Sequence, residues 1–384
     1  MSVTAAKGFT AAGIAAGIKE NGNPDLALVV NTGPRLAAAG VFTSNRVKAA
    51  PVLWSEQVLK GGLVSAVVLN SGGANACTGP QGFQDTHATA EKVADVLSLN
   101  AGEVAVASTG LIGVTLPMDK LLPGVDKAAG ELSAHGGEKA AIAIKTTDSV
   151  HKTSVVTKDG GWTVGGMAKG AGMLAPGLAT MLVVLTTDAD LEADLLDRAL
   201  RDATRLTFDR VDSDGCMSTN DTVLLLASGA ADVTPEYAEF AEAVREVCAD
   251  LGRQLIGDAE GASKDIKVDV VNAASEADAV EVGRSIARNN LLKCALHGED
   301  PNWGRVLSAI GTTSAAFDPN LLNVAINGVW VCKNGSVGED RELVDMRYRE
   351  VVITADLAAG AESATIWTND LTADYVHENS AYSS

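Results

Sequence analysis

The run Lys169-Gly170-Ala171-Gly172-Met173-Leu174-Ala175-Pro176-Gly177-Leu178-Ala179-Thr180-Met181-Leu182-Val183-Val184 joins a glycine- and proline-rich bend to an unbroken apolar strand. Gly170, Gly172 and Gly177 open backbone conformations that a Cβ would forbid. Such a bend can hold the Thr180 hydroxyl against the carbonyl of Ala179. A threonine hydroxyl is a weak nucleophile and needs a base beside it; an N-terminal threonine supplies its own, since an α-amino group of pKa about 8 is partly neutral at working pH. Cleavage of the Ala179–Thr180 bond would therefore create nucleophile and base in one residue. The same residues also fit an ordinary glycine turn at the entry of a core strand.

Outward from this stretch, Lys152 to Met167 reads as two strands joined at Asp159-Gly160-Gly161, and Met181–Leu185 as a buried strand. Upstream, Leu26–Asn31, Val64–Asn70 and Val104–Ser108 are β-rich and run into turn clusters. Asp85 and Thr86 read as caps of a helix whose Val93, Val96 and Leu97 share a face. Downstream, helices are expected from about Asp190 to Leu206, from Glu236 to Ile256 and from Glu276 to Leu296. Ile266, Val268 and Val270 alternate as in a half-exposed strand, and Asn327-Gly328 suits the turn of a hairpin. Strands follow at Val351–Ala355 and Ala364–Trp367. The sum is mixed α and β (α+β) with antiparallel elements, and the division that stands out is chemical, at Ala179/Thr180.

Composition narrows the function classes. With only 4% aromatic residues, the core must be built from Ala, Val, Leu and Gly. A formal charge of −19 argues against nucleic acid and anionic membranes as partners, and an anionic substrate would need a local cation. Cys77, Cys216, Cys248, Cys294 and Cys332 are dispersed and odd in number, as expected of reduced core thiols in a cytoplasmic protein. No run of eighteen apolar residues predicts a membrane span. His87, His135, His151, His297 and His377 lack metal-ligand spacing, and no nucleotide-binding glycine loop precedes a helix, so neither metal nor cofactor is expected. Asp209, Asp212, Asp214 and Asp221 are irregularly spaced among Ser, Thr and Asn, and read as a hydrogen-bonded loop.

The segment around Thr180 closely resembles the self-processing site of the ornithine acetyltransferase family of arginine biosynthesis. The likeness runs through Phe42-Thr43-Ser44-Asn45-Arg46-Val47, Asn70-Ser71-Gly72-Gly73-Ala74-Asn75-Ala76-Cys77-Thr78-Gly79, Ser108-Thr109-Gly110-Leu111-Ile112-Gly113, Thr146-Thr147-Asp148 and Thr207-Phe208-Asp209-Arg210. It continues in Ser218-Thr219-Asn220-Asp221, Glu260-Gly261-Ala262-Ser263-Lys264, Pro301-Asn302-Trp303-Gly304-Arg305 and Asn379-Ser380-Ala381-Tyr382-Ser383-Ser384. Gly73, Ala175, Gly177 and Ala259 depart from the family pattern, none of them at the nucleophile.

The resemblance implies a two-lobed fold of layered sheets and helices, of the ornithine acetyltransferase and aminopeptidase type, cut into an N-terminal fragment 1–179 and a C-terminal fragment 180–384. Two pairs of fragments would assemble as a heterotetramer. It implies that Thr180 is the nucleophile and that Thr109 and Gly110 form the oxyanion hole. Thr146, Thr147, Lys169, Glu260, Asn379 and Ser384 would contact substrate together with Thr180; which of the two adjacent threonines reaches in is left open. The substrates implied are N2-acetylornithine and glutamate, with acetyl-CoA an open second donor. A threonine-nucleophile aminopeptidase or amidohydrolase, and an uncleaved binding protein, are the alternatives.

Overall fold

The computed structural model describes residues 2–175 and 181–381; Ala179, Thr180 and Ser384 lie outside the described residues. The chain forms two compact units, Met1–Asp209 with Cys216–Asp258, and Arg210–Gly215 with Ala259–Ser383.

In the first unit, Phe9–Ile14, Leu26–Asn31, Ala66–Ser71 and Val104–Thr109 form a four-stranded sheet in that order. A five-stranded sheet runs Ala38–Phe42, Thr222–Ala227, Leu182–Thr187, Thr163–Lys169, Lys152–Thr157. Val29, Leu69 and Ala107 of the one pack with Met167, Val184 and Leu224 of the other in a shared core. The helices Gly79–Leu97 and Met118–Gly130 supply Val93 and Leu121 to the outer face of the four-stranded sheet. Tyr237–Gly257 lies on the five-stranded sheet, where Val247 and Leu251 approach Gly166 so closely that a Cβ there would stand 3.1 Å from each. The layers therefore run helix, sheet, sheet, helix. Val184, Leu185 and Leu225 are completely buried, each worth about 1.5–3 kcal/mol of transfer free energy. Strands covered on both faces read as continuous apolar runs rather than alternating ones.

In the second unit a six-stranded sheet has Ser336–Val337, Val329–Lys333, Asn323–Ile326, Glu350–Asp356, Asp265–Ala273 and Glu362–Asn369 in order. The expected hairpin is present, with Asn327 and Gly328 at φ 47° and 82°, the left-handed values that its turn requires. Asp265–Ala273 alternates buried and half-buried positions, and Val282, Ile286 and Leu292 pack beneath it.

Four expectations are corrected. The helix expected from Glu276 to Leu296 is two, Glu276–Ala287 and Asn290–His297, because the Asn289 side chain accepts the Leu292 N–H and caps a new start. The helix expected from Asp190 begins at Ala193. Asp85 and Thr86 are interior to a helix that starts at Gly79, where Pro80 occupies the first turn. The Asp85 carboxylate takes an amide N–H from Gln81 at 2.8 Å, and the Thr86 hydroxyl bonds the Gly82 carbonyl at 2.9 Å. Of the five cysteines, none of them in a disulfide, only Cys248 and Cys332 are core residues; Cys77, Cys216 and Cys294 are exposed.

Candidate active site

Strand register gathers the first unit's polar residues at one end of the five-stranded sheet. Lys169 pairs with Leu182, Leu182 with Thr222, and Thr222 with Phe42. The residues just beyond these strand ends, Gly170, Met181, Asp221 and Thr43, are therefore brought together. From the four-stranded sheet comes Thr109, whose carbonyl accepts the N–H groups of Gly72 and Gly73 at 2.9 and 3.0 Å. Gly110 has φ 130°, and a Cβ on it would fall 2.6 Å from the Gly73 nitrogen. Only glycine fits that backbone approach. Asn220 locks this corner to the other sheet, donating to the carbonyls of Ala74 at 2.6 Å and Ser108 at 2.8 Å.

Lys169 is buried, where a lysine would ordinarily be solvated, and its ammonium lies 3.3 Å from Thr109 Oγ1. Because the lysine donates, the threonine oxygen accepts and its own O–H is left to point elsewhere. Asp148 Oδ2 stands 4.0 Å from Lys169 Nζ. Asp148 also accepts from Gly170 N at 2.6 Å, Thr146 N at 3.0 Å and Lys152 Nζ at 2.7 Å. Lys152, buried too, reaches Asp258 at 2.6 Å. Burial alone would raise the Asp148 carboxyl, but Lys169 and Lys152 outweigh it and hold the group well below the usual carboxylate range. Asp148 thus anchors the loop that carries the half-buried Thr146 and Thr147 beside Lys169. A second cation, Lys19, is half-buried nearby and bonds the carbonyls of Pro24 and Lys145 at 3.0 and 2.6 Å. Burial lowers its pKa, and the field of Lys169 adds to the effect.

Sequence reasoning assigned no role to Asp148, Lys152 or Lys19. Asp148 stands in one of the quoted motifs, but the lysines that pair with it are distant in sequence or unremarkable in composition. Thr109 and Gly110, expected at an oxyanion hole, and Thr146, Thr147 and Lys169, expected at the substrate, belong to one corner of the first unit. Thr180 lies outside the described residues, though its chain neighbour Met181 donates its N–H to Asp221 Oδ1 at 3.1 Å.

Glu260 belongs to the second unit and borders a cavity of about 350 Å³ that is also lined by Arg288, Lys293, Asp370 and Tyr375. It precedes Gly261, at φ 60°, where a Cβ would sit 2.2 Å from the Tyr375 nitrogen. The C-terminal helix, Ala373–Ala381, starts against this turn: Thr372 Oγ1 donates to Gly261 O at 2.6 Å and accepts from Tyr375 N at 2.9 Å. Asn379 is exposed on that helix, its amide donating to Tyr375 O at 3.0 Å. Lys293 is buried and hydrogen-bonds Ser213 O; burial lowers its pKa against the pull of Asp214, Asp212 and Asp370. Among the described residues no cluster of His, Cys, Asp and Glu could hold a metal ion, and no helix is long and apolar enough to cross a membrane.

Comparison with known proteins agrees with the motifs. A sequence model of the ArgJ family matches residues 10–384. The chain is 88% identical over 384 residues to the arginine biosynthesis bifunctional protein ArgJ of Streptomyces avermitilis, and 63% identical over 383 residues to that of Thermobifida fusca, with all of each chain covered. A solved structure of ornithine acetyltransferase complexed with ornithine, from Mycobacterium tuberculosis, is 61% identical; it covers 47% of this chain and 96% of its own, with a TM-score of 0.46. Matches of this extent over the full sequence define an acyltransferase of amino-acid biosynthesis. The chain belongs to the ArgJ family, the ornithine acetyltransferases of arginine biosynthesis.

Proposed function

We propose that this chain transfers the acetyl group of N2-acetylornithine to glutamate through an acetyl-threonine intermediate on Thr180, after cutting itself between Ala179 and Thr180. The observation that carries the reading is the buried Lys169 ammonium 3.3 Å from the Thr109 hydroxyl oxygen, at the strand ends next to Met181. In the first half-reaction Thr180 Oγ attacks the acetyl carbonyl carbon, and its proton passes to the Thr180 amine. The oxyanion is held by the Thr109 hydroxyl and the Gly110 N–H. Collapse breaks the C–N bond, and the proton on the amine goes to the departing nitrogen of ornithine. Glutamate's amino group then attacks the ester by the same steps in reverse, which gives N-acetylglutamate and frees Thr180. A preorganised oxyanion donor of this kind is worth about 3 kcal/mol of barrier.

Lys169 receives the α-carboxylate common to both substrates, with Thr146 or Thr147 beside it, while Glu260 receives ornithine's side-chain ammonium. Asn379 and Ser384 complete the set. The name bifunctional carried by the relatives supports acetyl-CoA as a second donor. Self-cleavage would leave fragments of 179 and 205 residues, the second being 384 less 179. Their association is supported by the Thr163–Lys169 strand of one fragment pairing antiparallel with Leu182–Thr187 of the other. We place two such pairs in a heterotetramer, in the cytoplasm, where five unbridged thiols are stable.

The test is denaturing electrophoresis with intact mass on wild type and Thr180→Ala, followed by transfer of labelled acetyl from N-acetylornithine. Two wild-type fragments of about 18 and 21 kDa by residue share, a single band for the variant, and label appearing on glutamate are expected. Label released as free acetate without any need for glutamate would instead identify a hydrolase. An intact, inactive wild type would identify a binding protein.

A further inference from the structure

Glu260 answers only one of the two side chains that such a transfer must accept. Ornithine ends in an ammonium and glutamate in a carboxylate, each the same number of bonds from its α-carbon, so both ends reach the same depth of one site. A carboxylate partner alone would repel the second. The cavity that Glu260 borders also contains a cation suited to it. Arg288 lines this cavity from the residue after the Glu276–Ala287 helix, with its side chain 46% exposed. The stem runs past Gly215, where an added Cβ would stand 3.8 to 3.9 Å from Cγ, Cδ and Nε. Nε donates to Oδ2 of the wholly buried Asp212 at 2.7 Å. Neither Nη nitrogen has a hydrogen-bond partner among the described residues.

Two other charged groups at the cavity are committed elsewhere. Lys293 Nζ bonds Ser213 O and Thr368 Oγ1. Asp370 Oδ1 accepts the N–H groups of Ser263 and Lys264, both at 2.9 Å, while Oδ2 accepts the Ser263 hydroxyl and meets His297 Nδ1 at 3.0 Å. Arg288 differs from both, being fixed through Nε with the outer end of its fork open. A planar guanidinium held in this way offers two parallel N–H groups to a carboxylate. Asn290, the first residue of the Asn290–His297 helix, lines the cavity too, so the positive end of that helix adds to the preference for an anion.

We propose that Arg288 receives the side-chain carboxylate of glutamate, in the same cavity in which Glu260 receives ornithine's ammonium. The proposal rests on the Glu260 reading above and adds the counter-charge which that reading lacks. Each side chain then pairs with the group of opposite sign, and the cavity need not rearrange between half-reactions. While ornithine is bound, Arg288 keeps its Asp212 partner and its solvent exposure, so its repulsion of the ammonium is screened. Asp212 acts through Arg288, as a positioning residue.

The experiment follows each half-reaction alone on the purified full chain at subsaturating substrate. Acetyl exchange is measured between N-acetylglutamate and labelled glutamate, and between N-acetylornithine and labelled ornithine. Arg288→Gln should slow glutamate exchange by about 30-fold or more, and by at least about tenfold more than ornithine exchange. Arg288→Lys keeps a cation beside Asp212 but lacks the fork, and should fall between Arg288→Gln and wild type. Glutamine, the neutral isostere of glutamate, supplies a ratio that does not depend on how much of a variant is folded. Wild type should prefer glutamate over glutamine as acetyl acceptor by about 30-fold or more, and Arg288→Gln should bring the two near parity. A residue that only held Asp212 in place would slow both exchanges alike and leave the ratio unaltered. That result, or glutamine serving wild type as well as glutamate does, would overturn the proposal. Glu260→Gln tests the underlying reading separately: ornithine exchange that survives it undiminished would overturn the placement of the side-chain end in this cavity.

Discussion

The Lys169 corner of the first unit and the Glu260 cavity of the second differ in how far their charged pairs are withdrawn from solvent. In the corner, Lys152, Lys169 and Asp148 are buried, and the Asp148 carboxylate is saturated by two backbone N–H groups and two ammonium groups. At the cavity Glu260 is half-buried, and in the second unit ion pairs such as Arg288–Asp212 and Lys264–Glu299 join one solvent-facing partner to one buried partner. A buried network has one arrangement and loses heavily when a member is removed, whereas half-exposed pairs are screened and cheap to rearrange.

The contrast can be broken at several points. Thr180→Ala should leave the chain uncut and lower kcat by about 10⁴-fold or more, measured as acetyl transfer to glutamate; retained transfer would overturn Thr180 as the nucleophile. Asp148→Ala should cost about 3–5 kcal/mol, because it strands buried lysines; urea melts of the cleaved protein read this. The pH sign follows from the direction of the shift. A carboxyl held below its unfolded value stabilises the fold above the unfolded pKa of about 4 and loses that contribution only as pH falls through the native one. The gap between wild type and Asp148→Asn should therefore be flat from pH 8 to about 5 and close only in stronger acid. A gap that closes near neutrality would show that the corner is no more rigid than the cavity.

Thr109→Val should lower kcat by about 100-fold with a small change in KM, as expected of a donor used only in the transition state. Glu260→Gln should act in the other direction, raising KM for N-acetylornithine by about tenfold and leaving that for glutamate unchanged or lower. Equal effects on the two substrates would mean that the cavity does not discriminate by side-chain charge. Asn379→Ala should be the mildest, within a few-fold on KM, because one neutral hydrogen bond is worth about 1 kcal/mol.

Much of the fold was legible wherever local chemistry decides. The glycine turn between Lys152–Thr157 and Thr163–Lys169, the Asn327-Gly328 hairpin and the alternating Asp265–Ala273 strand all have short-range causes. The break at Asn289 was missed because apolar periodicity continues across it while the cap is a single side-chain hydrogen bond. Thr222–Ala227 went unread as a strand, although it lies between Ala38–Phe42 and Leu182–Thr187 in the sheet that carries the site. Its six residues are buried on both faces and show no alternation.

By itself the sequence determined the family, the mixed α/β class and the order of the chemical motifs, since each is written in contiguous residues. Tertiary structure decided which charges are buried and whom they meet. Lys169 and Thr109, sixty residues apart, touch because two strands of different sheets end at one corner, and Lys152 meets Asp258 across 106 residues for the same kind of reason. Residue type states that a lysine can be charged; the layers packed around it determine its partner, because a charge removed from water must be paired within a few ångströms or become neutral.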